Sequence, residues 1–326
     1  MALLEVRDLN VCYRKKGGLF RKDKILHAVK NVSFDLEANQ IIGLVGESGC
    51  GKSTLGRAIM QLENIQSGSI KFNGIELQSL KGAELRKFRK NFQMIFQDPY
   101  SSLNPRMTIH AALDEILKLH TKLDEVWREK RIVELLESVG LNYEALHRYP
   151  HQFSGGQRQR IGIAKALAVQ PKLIVADEPV SALDVSVQAA IINLLSEIRK
   201  RSLISFIFIA HDLSVVEHIS DIIMVMYLGE IVESGPAHEV VSNPQHPYTK
   251  SLLSAVPKIT DSPQNNSRIL LKGDPPSPYE KHTGCPFAAR CPMAKKECGS
   301  NSVTLVSADG SNHLSSCLFP EEVKNL

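Results

Sequence analysis

The stretch Gly46-Glu47-Ser48-Gly49-Cys50-Gly51-Lys52-Ser53-Thr54 decides how the rest of the chain is read. It has the spacing G-x-x-x-x-G-K-[ST], with the apolar run Ile41-Ile42-Gly43-Leu44-Val45 before it and a helix-compatible segment, Leu55 to Leu62, after it. A strand that delivers a loop into a helix lets the loop's backbone N–H groups and the helix N-terminus converge on phosphate oxygens. Within this nucleotide site Lys52 is expected to reach the β- and γ-phosphates and the Ser53 hydroxyl to ligate magnesium. Gly46, Gly49 and Gly51 keep side chains out of the phosphate path, and Glu47, Ser48, Cys50 and Thr54 complete the loop.

Outward from this loop, 326 residues allow one large domain with an appendage, or two domains, with ample core. The 39 basic against 35 acidic residues leave a mild positive charge, which gives no ground for a nucleic-acid partner and no objection to a membrane-surface one. Glu5, Arg7 and Asp8 argue against a secretory signal, and the longest apolar runs, Leu203 to Ala210 and Ile222 to Leu228, are too short to span a bilayer. The expected location is the cytoplasm, with any membrane process reached through other subunits.

The segment from Leu4 to Tyr13 alternates like a strand and opens an expected hairpin through the basic turn Arg14 to Lys24. Ala28 to Leu36 and Gly68 to Gly74, closed by Asn-Gly, read as further strands. From Leu103 to His147 the period turns helical, with Leu113, Ile116 and Leu117 on one segment and Ile132, Leu135, Leu136 and Val139 on the next. Buried-strand runs return at 173–176, 206–210 and 222–225, the first two separated by an expected helix from Val187 to Lys200, a parallel-sheet pattern. After Pro257 the chain turns polar and proline-rich, as a linker or irregular wrap would.

Leu173-Ile174-Val175-Ala176-Asp177-Glu178 ends a buried strand on two carboxylates. Behind a phosphate loop, Asp177 is placed to hold magnesium through water and Glu178 to polarise the attacking water. Ahead of them, Phe153-Ser154-Gly155-Gly156-Gln157 opens a helical pattern, and a hydroxyl with two glycines at a helix start makes a second anion site.

Here the chain resembles the ATP-binding-cassette (ABC) ATPases, over about residues 3 to 255. The resemblance implies an α/β, RecA-like P-loop core with an antiparallel β subdomain (about 1–96 and 165–256), a helical subdomain (about 97–164) and, beyond 256, a small C-terminal extension. It implies a head-to-tail dimer with a second ATPase, in which Ser154, Gly155 and Gly156 cap ATP held by the other subunit. Gln97 matches the glutamine that contacts magnesium and water, Ser181-Ala182-Leu183-Asp184 the loop at the dimer seam, and His211 the switch histidine; Tyr13 is the choice for the aromatic on adenine. Phe153 departs from the usual leucine, an apolar exchange outside the phosphate contacts.

Three further segments, Phe96 to Arg106, Asn243 to Lys250 and Gly273 to Pro278, resemble the oligopeptide, dipeptide and nickel group of bacterial importers, most closely the F-type ATPase subunits of peptide permeases. The implied partners are a related D-type ATPase, two transmembrane permease subunits and, indirectly, an extracytoplasmic binding protein. The implied site of work is the cytoplasmic face of the membrane and the implied cargo di- and oligopeptides. A nickel importer of the same group, or a non-transport cassette acting on ribosomes or DNA, are the alternatives.

Of six cysteines, Cys12 and Cys50 stand alone while Cys285, Cys291, Cys298 and Cys317 crowd near the C-terminus. Four thiolates on short loops suit an iron–sulfur cluster or zinc, and the spacing leaves the metal open. The resemblance implies a [4Fe–4S] cluster on all four. His282 and His313 lie near enough in sequence to leave a mixed ligand set open.

Overall fold

The computed structural model describes residues 2–15, 24–256, 269–271, 273–277, 279, 283–301, 303–307 and 310–326. The tip of the basic turn (16–23), most of the stretch after Pro257, Pro278 and His282 therefore lie outside the described residues.

In chain order the elements are β1 (Leu4–Lys15), β2 (Lys24–Leu36), β3 (Ile41–Val45), α1 (Lys52–Ile59), β4 (Ser67–Phe72), β5 (Ile75–Glu76), α2 (Gly82–Phe88), β6 (Phe92–Ile95) and α3 (Pro99–Ser102). Next come α4 (Ile109–His120), α5 (Glu125–Ser138), α6 (Gly155–Leu167), β7 (Leu173–Asp177), α7 (Val185–Ser202), β8 (Ser205–Ala210), α8 (Leu213–Ile219) and β9 (Ile222–Tyr227). The chain ends with β10 (Glu230–Pro236), α9 (Ala237–Ser242), α10 (Pro247–Ser254), β11 (Val306–Ser307) and β12 (Leu314–Ser315).

Strands β3, β7 and β8 are buried along their whole length, which is why they read as continuous apolar runs. They lie in an eight-stranded sheet of order β11-β12-β10-β9-β3-β8-β7-β6, parallel from β9 to β6 and antiparallel from β9 outward. Because side chains alternate along each strand, the sheet divides the interior in two. Ile41, Ile174, Phe206, Phe208 and Val225 pack with the helical half, whereas Ile42, Leu44, Val175, Ile207, Ile209 and Met226 pack with α1 and the smaller sheet.

That smaller sheet is antiparallel, order β2-β1-β4-β5. Its tightest turn is the Asn-Gly pair: Asn73 and Gly74 sit at φ 49° and 76°, the doubly left-handed turn that suits the twist of a hairpin. On the other side, α4 and α5 bury the periodic residues read from the sequence, including Leu113, Leu117, Ile132, Leu135 and Leu136. Thr108 and Asp124 cap these helices by accepting from Ala111 N and Trp127 N.

The last strands join the main sheet: β12 pairs with β10 through Glu233–Ser315 and Ser234–Leu314. Beside that edge, His246 caps α10, its Nδ1 accepting from Tyr248 N at 3.1 Å. Burial pushes this imidazole down to about 3. It stays neutral in the fold but charges in the unfolded chain below its ordinary value of about 6.5. The folded value is the lower one, so its contribution is complete above about pH 6.5 and is lost as pH falls towards 3. Between pH 7 and 5 this group alone is expected to remove about 2 kcal/mol of stability. His246→Asn, which can still cap the helix, should flatten that slope in urea melts at the two pH values; an unchanged slope would refute the assignment.

Candidate active site

The phosphate loop runs from the end of β3 into α1, as its spacing predicts. Gly51 precedes the helix at φ 112°, and a Cβ there would lie 2.2 Å from the carbonyl of Ala28, so the position admits glycine alone. The Lys52 ammonium is buried and donates to the carbonyls of Gly46 and Glu47 at 2.7 and 2.9 Å, poised at the loop's centre.

A cleft of about 280 Å³ opens over Ser48 to Thr54, walled by Tyr13, Leu26, His27, Gln97, Glu178 and Leu228. Tyr13 comes from β1 and reaches the loop, its hydroxyl 3.5 Å from Thr54 Oγ1. At the end of β7, Asp177 accepts from Ser53 Oγ at 2.7 Å. Burial pushes the Asp177 carboxyl up, opposed by that hydrogen bond. A desolvated carboxylate touching a hydroxyl at the phosphate cradle is an arrangement that a divalent cation would relieve.

Glu178 follows at φ 46°, a left-handed conformation uncommon for a side chain of this kind. Its amide donates to Ile209 O at 3.0 Å, which ties the bend to β8. The bend directs the carboxylate to Gln97, whose Nε2 donates to Oε2 at 2.9 Å, while His211 Nδ1 lies 4.0 Å from the same oxygen. Gln97 and His211 are exposed and the Glu178 side chain is 17 % exposed, so the three meet at the cleft mouth.

The signature segment lies elsewhere: none of Phe153 to Gln157 lines this cleft. Ser154 caps α6 in a reciprocal box, accepting from Gln157 N at 3.3 Å while its own N–H donates to Gln157 Oε1 at 3.0 Å. Ser154, Gly155 and Gln157 are exposed, Phe153 is buried, and Gly156 packs against α7, where a Cβ would meet Val187 Cγ1 at 2.5 Å. Leu183 lies beneath Gly155; Ala182 and Asp184 are exposed beside it, and Ser181 Oγ donates to Glu178 O at 3.1 Å. Segments 153–157 and 181–184 thus share one open face, continued by Val185 at 82 % exposure.

The sequence model of the ABC transporter family matches residues 29–181, and that of the oligopeptide/dipeptide transporter C-terminal region matches residues 232–298. Over 322 residues the chain is 48% identical to the oligopeptide transport ATP-binding protein OppF of Salmonella typhimurium, covering 97% of this chain and 96% of that one. This chain belongs to the ABC transporter family. It is 49% identical over 299 residues to the oligopeptide transport ATP-binding protein AppF of Bacillus subtilis, with 91% of each chain covered. It is also 45% identical over 298 residues to the di/tripeptide transport ATP-binding protein DppF of Pseudomonas aeruginosa, covering 91% of this chain and 92% of that one. Among solved structures, the dimeric ATP-binding cassette MJ0796 bound to ADP and Pi superposes with a TM-score of 0.63 at 28% identity, over 72% of this chain and 98% of that one. As a family member the chain is an ATPase that works with Mg²⁺ and couples hydrolysis to transport. No helix among the described residues is long and apolar enough to cross a membrane.

Cys285, Cys291, Cys298 and Cys317 line one cavity of about 20 Å³, closed by Phe287, Met293, Leu318 and Phe319. Burial pushes the thiols of Cys285, Cys291 and Cys317 up, the last two to about 11, so these three stay neutral until something displaces their protons. Among the described residues no three His, Cys, Asp or Glu side chains are close enough to enclose one metal ion. The expectation of a [4Fe–4S] cluster, or of zinc in its place, at these cysteines therefore finds no support. His313 does not join them either: its ring is buried and its Nε2 pairs with Glu233 Oε1 at 2.7 Å.

Two contacts around the site have no counterpart in the sequence reading. Arg290 forks onto Glu47 of the phosphate loop at 2.8 and 3.0 Å, and the Tyr248 hydroxyl accepts from Glu47 N at 2.7 Å. Glu47 thus faces the C-terminal segment with both its side chain and its amide.

Proposed function

We propose that this chain is the ATP-hydrolysing subunit of an importer of di- and oligopeptides, working at the cytoplasmic face of the membrane as half of an ATPase dimer. What carries the reading is the convergence of Gln97, Glu178 and His211 over a phosphate loop whose Ser53 already touches Asp177. Peptide cargo follows from the relatives, whose names specify oligopeptide and di/tripeptide transport.

In this reading Tyr13 stacks on adenine, Lys52 and the N–H groups of Gly49 to Thr54 hold the phosphates, and Ser53, Asp177 and Gln97 would hold Mg²⁺, which would neutralise phosphate charge. Glu178 orients and polarises the attacking water, and His211, whose Nδ1 lies 4.0 Å from the Glu178 carboxylate, contacts the γ-phosphate. The exposed face of Ser154, Gly155, Gly156 and the seam loop 181–184 completes the site of a second ATPase subunit, a related D-type chain. The unit formed by residues 1–256 then divides into a core (about 1–96 and 165–256) and a helical lobe (about 97–164). A groove of about 350 Å³ between them, lined by Met94, Phe96, Pro99, Ser102, Gln159 and Lys165, receives the permease subunits. Residues 257–326 form the C-terminal extension, where Cys285, Cys291, Cys298 and Cys317 line one cavity.

Deleting the chain from its cell should abolish uptake of labelled di- and oligopeptides, and the wild-type chain should restore it. Restored nickel uptake without peptide uptake, or cosedimentation with ribosomes in place of copurification with two membrane proteins, would overturn the reading.

A further inference from the structure

The turn between Cys285 and Cys291 is built around Phe287, whose carbonyl accepts from Arg290 N and Cys291 N at 2.9 and 3.0 Å. Phe287 is fully buried and packs on Tyr227 at the end of β9 and Tyr248 of α10, ring centroids 5.3 and 5.4 Å apart. Pinned this way, the turn aims Arg290 out of the four-thiol pocket and onto the phosphate loop. Both Nη atoms of Arg290 donate to the Glu47 carboxylate, and the side chain is only 8 % exposed. Its Nε is buried with no hydrogen-bond partner among the described residues. A desolvated guanidinium with one donor unmet depends strongly on its single carboxylate, and only a planar fork can meet both oxygens.

Glu47 is therefore fixed at two points, by Arg290 at the side chain and by Tyr248 at the amide, while its carbonyl supports Lys52. All three contacts lie within the loop that must present N–H groups to phosphate.

We propose that Arg290 is a positioning residue for the phosphate loop and that, through Glu47, it couples the four-cysteine pocket to nucleotide binding. The proposal rests on the reading of Gly46 to Thr54 as the phosphate cradle. Coupling of this kind is reciprocal: a pocket that holds the turn in place pre-forms the loop, and nucleotide on the loop steadies the turn.

The full chain is titrated with a fluorescent ATP analogue, and hydrogen exchange of residues 285–298 is followed with and without ATP. Arg290→Ala is expected to weaken nucleotide binding on the order of tenfold, with Arg290→Lys recovering part of the loss. In the assembled transporter the loss should fall on KM for ATP, with kcat within about twofold. ATP should slow exchange in 285–298 in the wild type and not in Arg290→Ala. Wild-type affinity in Arg290→Ala, or exchange in 285–298 indifferent to ATP in the wild type, would sink the coupling. Should Arg290→Ala lose its fold by circular dichroism, Glu47→Gln decides in its place: retained ATP-dependent protection overturns the proposal, and lost protection upholds it. A wild-type chain that binds no nucleotide would instead strike the phosphate-cradle reading itself.

Discussion

Glu178→Gln is expected to lower ATP turnover by about 10² to 10⁴-fold while ATP still binds. The carboxylate lies at the cleft mouth, held by Gln97 Nε2 at 2.9 Å, with His211 Nδ1 at 4.0 Å from the same oxygen. No other carboxylate lines that part of the cleft, among the described residues, because Asp177 is turned inward onto Ser53. Gln keeps the shape and the left-handed backbone at 178 but accepts no proton, so loss of rate without loss of binding separates the water-polarising role from a structural one. The measurement is single-turnover phosphate release from the assembled complex beside equilibrium ATP binding. A rate within threefold of wild type would move the base assignment off Glu178.

How much of this was legible in the sequence follows from how local each feature is. The phosphate loop, the Asp177-Glu178 pair and the Ser154 to Gln157 cap are short segments whose residue types are dictated by backbone geometry, as at Gly51 and Gly156, where a Cβ has no room. The two-sided sheet was equally plain, since strands covered on both faces have no polar alternation to hide them. The Glu47–Arg290 pair could not be read, because 243 residues separate the partners, Glu47 fills a variable position of the loop spacing and Arg290 belongs to no pattern. Nor could the role of His313, which looked like a spare ligand beside the cysteines and is in fact held by Glu233 on β10. Only the strand β12, two residues long and without a periodic signal, brings them together.

That same carboxylate gives the second large effect: Glu233→Ala is expected to destabilise the chain by about 3 to 5 kcal/mol. Glu233 is fully buried, and its two oxygens accept from Gln245 N at 2.6 Å, His246 N at 3.0 Å and His313 Nε2 at 2.7 Å. Removing it strands two backbone donors and an imidazole in the interior, each left without the acceptor that offset its desolvation. The damage should be uneven. Gln245 and His246 lead into α10, whose Tyr248 holds the phosphate loop, and His313 leads into β12, which lies between β10 and the outermost strand β11. Hydrogen exchange should therefore rise first in 244–248 and 312–316, with α4 and α5 unaffected. Glu233→Gln keeps one carbonyl acceptor and should lose roughly half as much. Urea midpoints report the total and peptide-resolved exchange the distribution. If Glu233→Ala stays within about 1 kcal/mol of wild type, the buried carboxylate is not what binds the C-terminal strand to the core.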